Sequence, residues 1–153
     1  MDLAELLDKN AVKVPLEGLD REEVLAELVE LLVRAGKVKD RDAVLEALYA
    51  REAKGSTGIG GGVAIPHAKC AGLEGLSLAA GASRDGIEFD AADGQPVHLV
   101  FLVLAAADNP GPNVEVLADI GYLMQVPGVY EQMVSARNAD ELLQAIQKVQ
   151  VEQ

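Results

Sequence analysis

Residues 51–67 read Arg-Glu-Ala-Lys-Gly-Ser-Thr-Gly-Ile-Gly-Gly-Gly-Val-Ala-Ile-Pro-His, and the changes of character along this stretch decide the architecture. It starts at the end of a helix and passes through residues 55–62, which hold five glycines in eight positions. It then runs Val63-Ala64-Ile65 into Pro66-His67. Glycine lets the backbone turn where other residues resist, so the segment reads as a short strand, a Gly-rich turn and a second short strand. Pro66 fixes its own φ and biases Ile65 towards extended backbone. That places His67 at a defined strand end.

Working outward, Asp20-Arg21-Glu22-Glu23 opens a helix with a capping box, Asp20 as cap and Glu23 reaching back. Val24, Leu28, Leu31 and Leu32 keep helical spacing, and Gly36 ends the run. Asp40 caps a second helix to about Ala53, with Val44, Leu45, Leu48 and Tyr49 on its apolar face. Before them, residues 11–14 read as a strand stopping at Pro15. After the quoted stretch, residues 76–82 read as a strand. Residues 97–105 are apolar on both faces, the pattern of a central strand covered from both sides. Residues 108–112, Asp-Asn-Pro-Gly-Pro, form a turn cluster. A helix over 113–125, a short one over 130–135 and a last one capped by Asn138, with Glu141 at the capping-box position, complete the chain. The expected fold is α/β, a single domain over 1–153 in which a small mixed β-sheet is flanked by helices on both sides.

Composition bounds the function. The 153 residues are 50% hydrophobic and 25% charged, with no Trp, three Tyr and two Phe, so the core is aliphatic. A formal net charge of −12 argues against nucleic acid and against anionic membrane surfaces, both of which demand a positive face. The acidic start, Met1-Asp2-Leu3-Ala4-Glu5, is not a secretory signal. The longest apolar run, 97–107, is too short for a bilayer, which takes about 20 residues. One cysteine, Cys70, makes no internal disulfide and fits a reducing compartment. The expectation is a cytoplasmic protein without direct membrane insertion.

The chemistry concentrates at His67. The segment is not a P-loop, since Gly60 is followed by Gly61 and not by Lys-Ser/Thr. It is not a dinucleotide fingerprint, since Val63 stands where a third glycine is needed. A Gly/Ser/Thr turn closing onto a histidine remains, and its N–H groups could converge on an anion. An ordinary imidazole is largely neutral at pH 7, and a neutral ring nitrogen attacks phosphorus to form a transferable phosphoramidate. The transferring phosphoryl group needs positive potential. Arg51 is the nearest upstream guanidinium, and its fork matches phosphate geometry. Thr57 and Ser56 offer hydroxyl donors.

Arg51-Glu52, Thr57-Gly58-Ile59-Gly60 and Ala64-Ile65-Pro66-His67 together resemble the signature of the fructose/mannitol-type enzyme IIA family of the bacterial phosphotransferase system, and the likeness extends over nearly the whole chain. The resemblance implies a mixed sheet with helices on both sides and no cofactor. It implies that His67 is the phosphoryl acceptor and Arg51 the phosphate-binding cation. It covers Thr57 but not Ser56. It implies a histidine phosphocarrier, HPr or its nitrogen-branch counterpart NPr, as donor, and a IIB domain or a regulatory target protein as acceptor. With no IIB or membrane IIC portion in the sequence, the likeness is greatest to the stand-alone nitrogen-regulatory IIA group. One position departs from the pattern. Members often carry a second histidine at the start of the helix after the turn cluster, and here that place holds Asn113. An amide donates a hydrogen bond but carries no charge and shuttles no proton.

Plainer readings stand beside these. His67 could simply end a strand, and the glycines could form only a flexible turn. Arg51 could complement the helix dipole, and Asn113 could be a helix cap. His98, inside the central strand, reads as a structural histidine. Lys69 could attract phosphate or be ordinary surface charge. One cysteine and two histidines fall short of a zinc site, so no metal is expected. The alternative function is a IIA-like interaction module that binds partners without obligatory phosphotransfer.

Overall fold

The computed structural model describes residues 3–109 and 111–152, with side chains to 149. Met1, Asp2 and the turn cluster's Pro110 therefore lie outside the described residues. The elements are, in order, α1 (Leu3–Leu6), a 3₁₀ turn (Lys9–Ala11), β1 (Val12–Lys13), α2 (Arg21–Arg34), α3 (Arg41–Ala53), β2 (Gly58–Gly60), β3 (Val63–Ala64), β4 (His67–Cys70), β5 (Ser77–Ile87), β6 (Val97–Ala106), α4 (Gly111–Gln125), α5 (Val129–Val134) and α6 (Ala139–Glu152).

The caps behave as their chemistry demands. Asp20 Oδ1 accepts from Glu23 N at 2.8 Å, and the Glu23 carboxylate reaches back to the N–H of Leu19 at 3.0 Å. Asp40 and Asn138 accept in the same way from Ala43 N at 3.1 Å and Glu141 N at 2.9 Å. Each cap satisfies one of the N–H groups that a helix start leaves without a partner. At the other end of α2, Gly36 turns left-handed at φ 77°. Lys37 N then closes onto Leu32 O at 3.0 Å, the 6→1 bond of a glycine-terminated helix.

The sheet is mixed, in the order β1-β5-β6-β3-β2, with β4 also on β6. β6 is its spine. It runs antiparallel to β5 and parallel to both β3 and β4. Its side chains alternate between two apolar clusters. Leu99, Phe101 and Val103 pack with Val116 and Ile120 of α4, Met133 of α5 and Leu142 and Ile146 of α6. Val100, Leu102 and Leu104 pack with Leu25, Leu28 and Leu32 of α2 and Leu48 of α3. Helices thus cover both faces, as the doubly apolar pattern of 97–105 required.

Of the boundaries that differ from the sequence reading, three have a clear physical cause. β5 runs on to Ile87 past a register shift between Ala82 and Ile87, because the exposed Arg84 and Asp85 bulge out before Ile87 returns to pair with Val97. α4 begins at Gly111, two residues earlier than expected, with Pro112 in its first turn, where a missing N–H leaves no bond unmade. His67 does not end a strand but opens a new one. Pro66 has no N–H for the ladder, so the chain beside β6 splits into β3 and β4, and the Pro66 carbonyl still accepts from Val103 N at 2.9 Å.

Candidate active site

Three elements bring polar groups to one cavity of about 480 Å³. The last turn of α3 supplies Arg51, with Lys54 just beyond its end, β4 supplies His67 and Lys69, and the first turn of α4 supplies Asn113. Ala47, Ala68, Val114 and Leu117 form the apolar walls. Arg51, His67 and Asn113, far apart in the chain, are therefore neighbours in space.

His67 is half-buried, and its Nδ1 lies 2.8 Å from the carbonyl of Ile65. A carbonyl oxygen can only accept, so this contact assigns the proton of the neutral ring to Nδ1. Nε2 is left with the free lone pair. Arg51 donates from Nη1 to the carbonyl of Gly55 at 2.7 Å, which ties the guanidinium to the turn after α3 and, among the described residues, leaves its remaining N–H groups uncommitted. Neither Arg51, Lys54 nor Lys69 makes an ion pair among the described residues. In a chain of net charge −12, three cations without carboxylate partners around one imidazole make a local positive well. Asn113 is 4% exposed, and its Oδ1 has no hydrogen-bond partner. A buried acceptor left without a donor is costly, and an anion, which only accepts, does not relieve it, so the NH₂ is the end of this amide that can meet an anion in the cavity.

The two hydroxyl residues go elsewhere. Thr57 is buried, and its Oγ1 donates to Glu52 Oε1. Ser56 Oγ donates to the carbonyl of Phe89 and accepts from Gly58 N at 2.9 Å. A hydroxyl has one proton to give, and both are spent inside the turn. Neither residue lines the cavity, so the expectation that Ser56 and Thr57 hold phosphate through their hydroxyls is corrected to a structural role. One N–H of the Gly-rich turn is likewise turned on the protein itself. Gly61 N donates to Asp93 Oδ2 at 3.0 Å, so the protein's own carboxylate fills that place. This N–H, with that of Gln95, holds the Asp93 pKa below the usual carboxylate range. At Gly62, where φ is 81°, a Cβ would stand 2.0 Å from the Tyr130 hydroxyl, so the turn is packed there, while Gly55 and Gly61 face open space.

His98 is half-buried and its Nδ1 bonds to the Ser83 carbonyl at 3.0 Å, away from the cavity. Glu52 is the residue that sequence reasoning passed over. It stands beside Arg51 in the motif, and the signal available was a charged residue on the inward side of an amphipathic helix. Among the described residues no cluster of His, Cys, Asp or Glu could hold a metal ion, and no helix is long and apolar enough to cross a membrane.

A mixed sheet with helices on both faces and one histidine at a strand start beside cations fit the class of IIA-type phosphotransferase domains. The chain matches, over residues 5–149, the family model of the phosphoenolpyruvate-dependent sugar phosphotransferase system, EIIA 2, and is a member of that family. It is 38% identical over 95% of its length to the fructose-specific EIIABC component of Bacillus subtilis, of which it spans only 23%. It is 32% identical to the nitrogen regulatory protein of Pseudomonas aeruginosa, over 97% of this chain and 96% of that one. The crystal structure of the nitrogen regulatory protein IIA-Ntr from Neisseria meningitidis superimposes with a TM-score of 0.86 at 31% identity, covering 94% of this chain and 98% of that one. Family membership makes the chain a phosphotransferase-system component with a phosphocarrier or regulatory role.

Proposed function

We propose that this chain accepts a phosphoryl group on Nε2 of His67 from the phosphohistidine of an HPr- or NPr-like carrier. It then passes the group to a IIB domain or signals to a target protein by its phosphorylation state. The observation that carries this reading is the orientation of one ring: Nδ1 is committed to the Ile65 carbonyl, and the imidazole lines a cavity shared with Arg51, Lys54 and Lys69. The Nε2 lone pair attacks phosphorus as the bond from phosphorus to the donor's nitrogen breaks; the donor imidazole leaves neutral with the proton already on its other nitrogen, and the His67 ring, keeping its Nδ1 proton on the Ile65 carbonyl, takes over the positive charge. The cations stabilise the charge spread over the three equatorial oxygens. The amide of Asn113, through its NH₂, donates to one of those oxygens. Incubation with phosphoenolpyruvate, enzyme I and HPr is expected to add one acid-labile phosphoryl group. A native protein that stays unlabelled under conditions that charge HPr overturns the proposal.

Asn113 also bears on the direction of flow. A neutral amide offers the phosphoryl group a hydrogen bond but no positive charge as the group leaves. Asn113→His is expected to speed discharge of the phosphorylated protein onto unphosphorylated HPr by about tenfold, less than the hundredfold or more of a whole donor, because the amide already donates one hydrogen bond. An unchanged discharge rate assigns the position to helix geometry alone. A slow native discharge favours the signalling role over sugar transport, and the nitrogen regulatory relatives are named for such a role.

A further inference from the structure

Glu52 is 6% exposed, so its carboxylate sits inside the protein, and its charge is met by groups from two other segments. Thr57 Oγ1 donates to Oε1. Thr57 N donates to Oε2 at 3.2 Å, and Arg21 Nη1 approaches the same oxygen at 3.5 Å. Arg21 Nη1 also reaches the Phe89 carbonyl at 3.4 Å, the same oxygen that holds Ser56. The line of bonds continues on the other side of Thr57. Its carbonyl accepts from Ile65 N at 3.0 Å, and the Ile65 carbonyl accepts from His67 Nδ1 at 2.8 Å. An unbroken series thus runs from the buried carboxylate to the ring that does the chemistry. Glu52 is also the immediate neighbour of Arg51 on α3.

We propose that Glu52 and Thr57 are positioning residues that set the site from both sides. Through Thr57 and Ile65 they fix the tautomer and angle of His67, and through the end of α3 they fix the place of Arg51. The link is geometric and not electronic. The N–H and C=O of one residue belong to different peptide planes, so polarisation does not pass along the series, but displacement does. Removing the Thr57 hydroxyl leaves a buried carboxylate oxygen without its donor. A buried charge stripped of a partner moves the structure or admits water. The carbonyl of Ile65 then shifts relative to the ring, and a small misplacement of a nucleophile carries a large kinetic cost.

The kinetic arm of the test rests on the phosphoryl-acceptor reading, and the spectroscopic arm does not. In ¹⁵N-labelled protein above the imidazole titration, the His67 ring is expected to show a protonated Nδ1 and an unprotonated Nε2 in the native chain. In Thr57→Val it is expected to show a mixture of tautomers, with phosphorylation at least tenfold slower. Thr57→Ser keeps the hydroxyl and is expected to restore both. The His98 ring, held by Ser83 on a different line, is the internal control and stays unchanged. Should Thr57→Val fail to fold, Glu52→Gln decides, with the same mixed tautomers and slowed rate expected. A folded Thr57→Val or Glu52→Gln that keeps the native tautomer overturns the proposal, whatever its rate. A native chain that takes no phosphate overturns the function proposed above while the ring spectrum still decides this one.

Discussion

Replacing His67 by alanine is expected to abolish phosphoryl acceptance while leaving the fold in place. The chain has two histidines, and the other, His98, lines no part of the cationic cavity. No second imidazole can take over. The structural cost is small, because the ring is only half-buried and makes one hydrogen bond, to Ile65. Losing such a bond costs about 1 kcal/mol, a shift of roughly 2–4 °C in Tm for a domain of this size. Mass spectrometry after incubation with the charged carrier, alongside a thermal melt, checks both halves. A variant that melts like the native protein and still gains an acid-labile phosphoryl group assigns the acceptor elsewhere.

The second large effect is expected at Arg51. Arg51→Ala removes the planar fork and one positive charge while Lys54 and Lys69 remain. Phosphorylation should slow by about a hundred- to a thousandfold, the range seen when one preorganised transition-state donor is lost. Arg51→Lys should recover part of the rate, since it restores the charge but not the bidentate geometry. The bond from Arg51 Nη1 to the Gly55 carbonyl also goes, at about 1 kcal/mol, so the melt changes far less than the rate. Stopped-flow measurement of transfer from phosphorylated HPr separates these cases. A rate within twofold of native makes Arg51 a helix-end residue and no more.

The helices and the spine strand were legible because their signals are local. Asp20 and Asp40 announce helix starts through side chains that bond three residues on, and residues 97–105 announce a central strand by being apolar on both faces. β4 was not legible. His67, Ala68, Lys69 and Cys70 do alternate, with Ala68 and Cys70 buried, but four residues behind a proline are too few to show a period, and the strand exists because residues 103–106 lie alongside it, more than thirty positions away. α1 was missed for a similar reason: four residues are too few to show a period. At the site, His67, Arg51 and Asn113 could be picked out as charged or polar groups in a recognisable order, and they converge on one cavity. Ser56 and Thr57 could not be placed correctly, because where a hydroxyl points depends on acceptors such as the Phe89 carbonyl and the Glu52 carboxylate. Nothing adjacent to a serine or threonine reports such partners.

The break at Pro66 leaves the backbone under His67 anchored on both sides. β3 and β4 run along one neighbour like two rails laid end to end, and the imidazole stands just past the joint, with its backbone bonded to β6 on either side. On the reading proposed above, a partner meets an acceptor whose backbone is already in place, and only the side chain has to adjust to it.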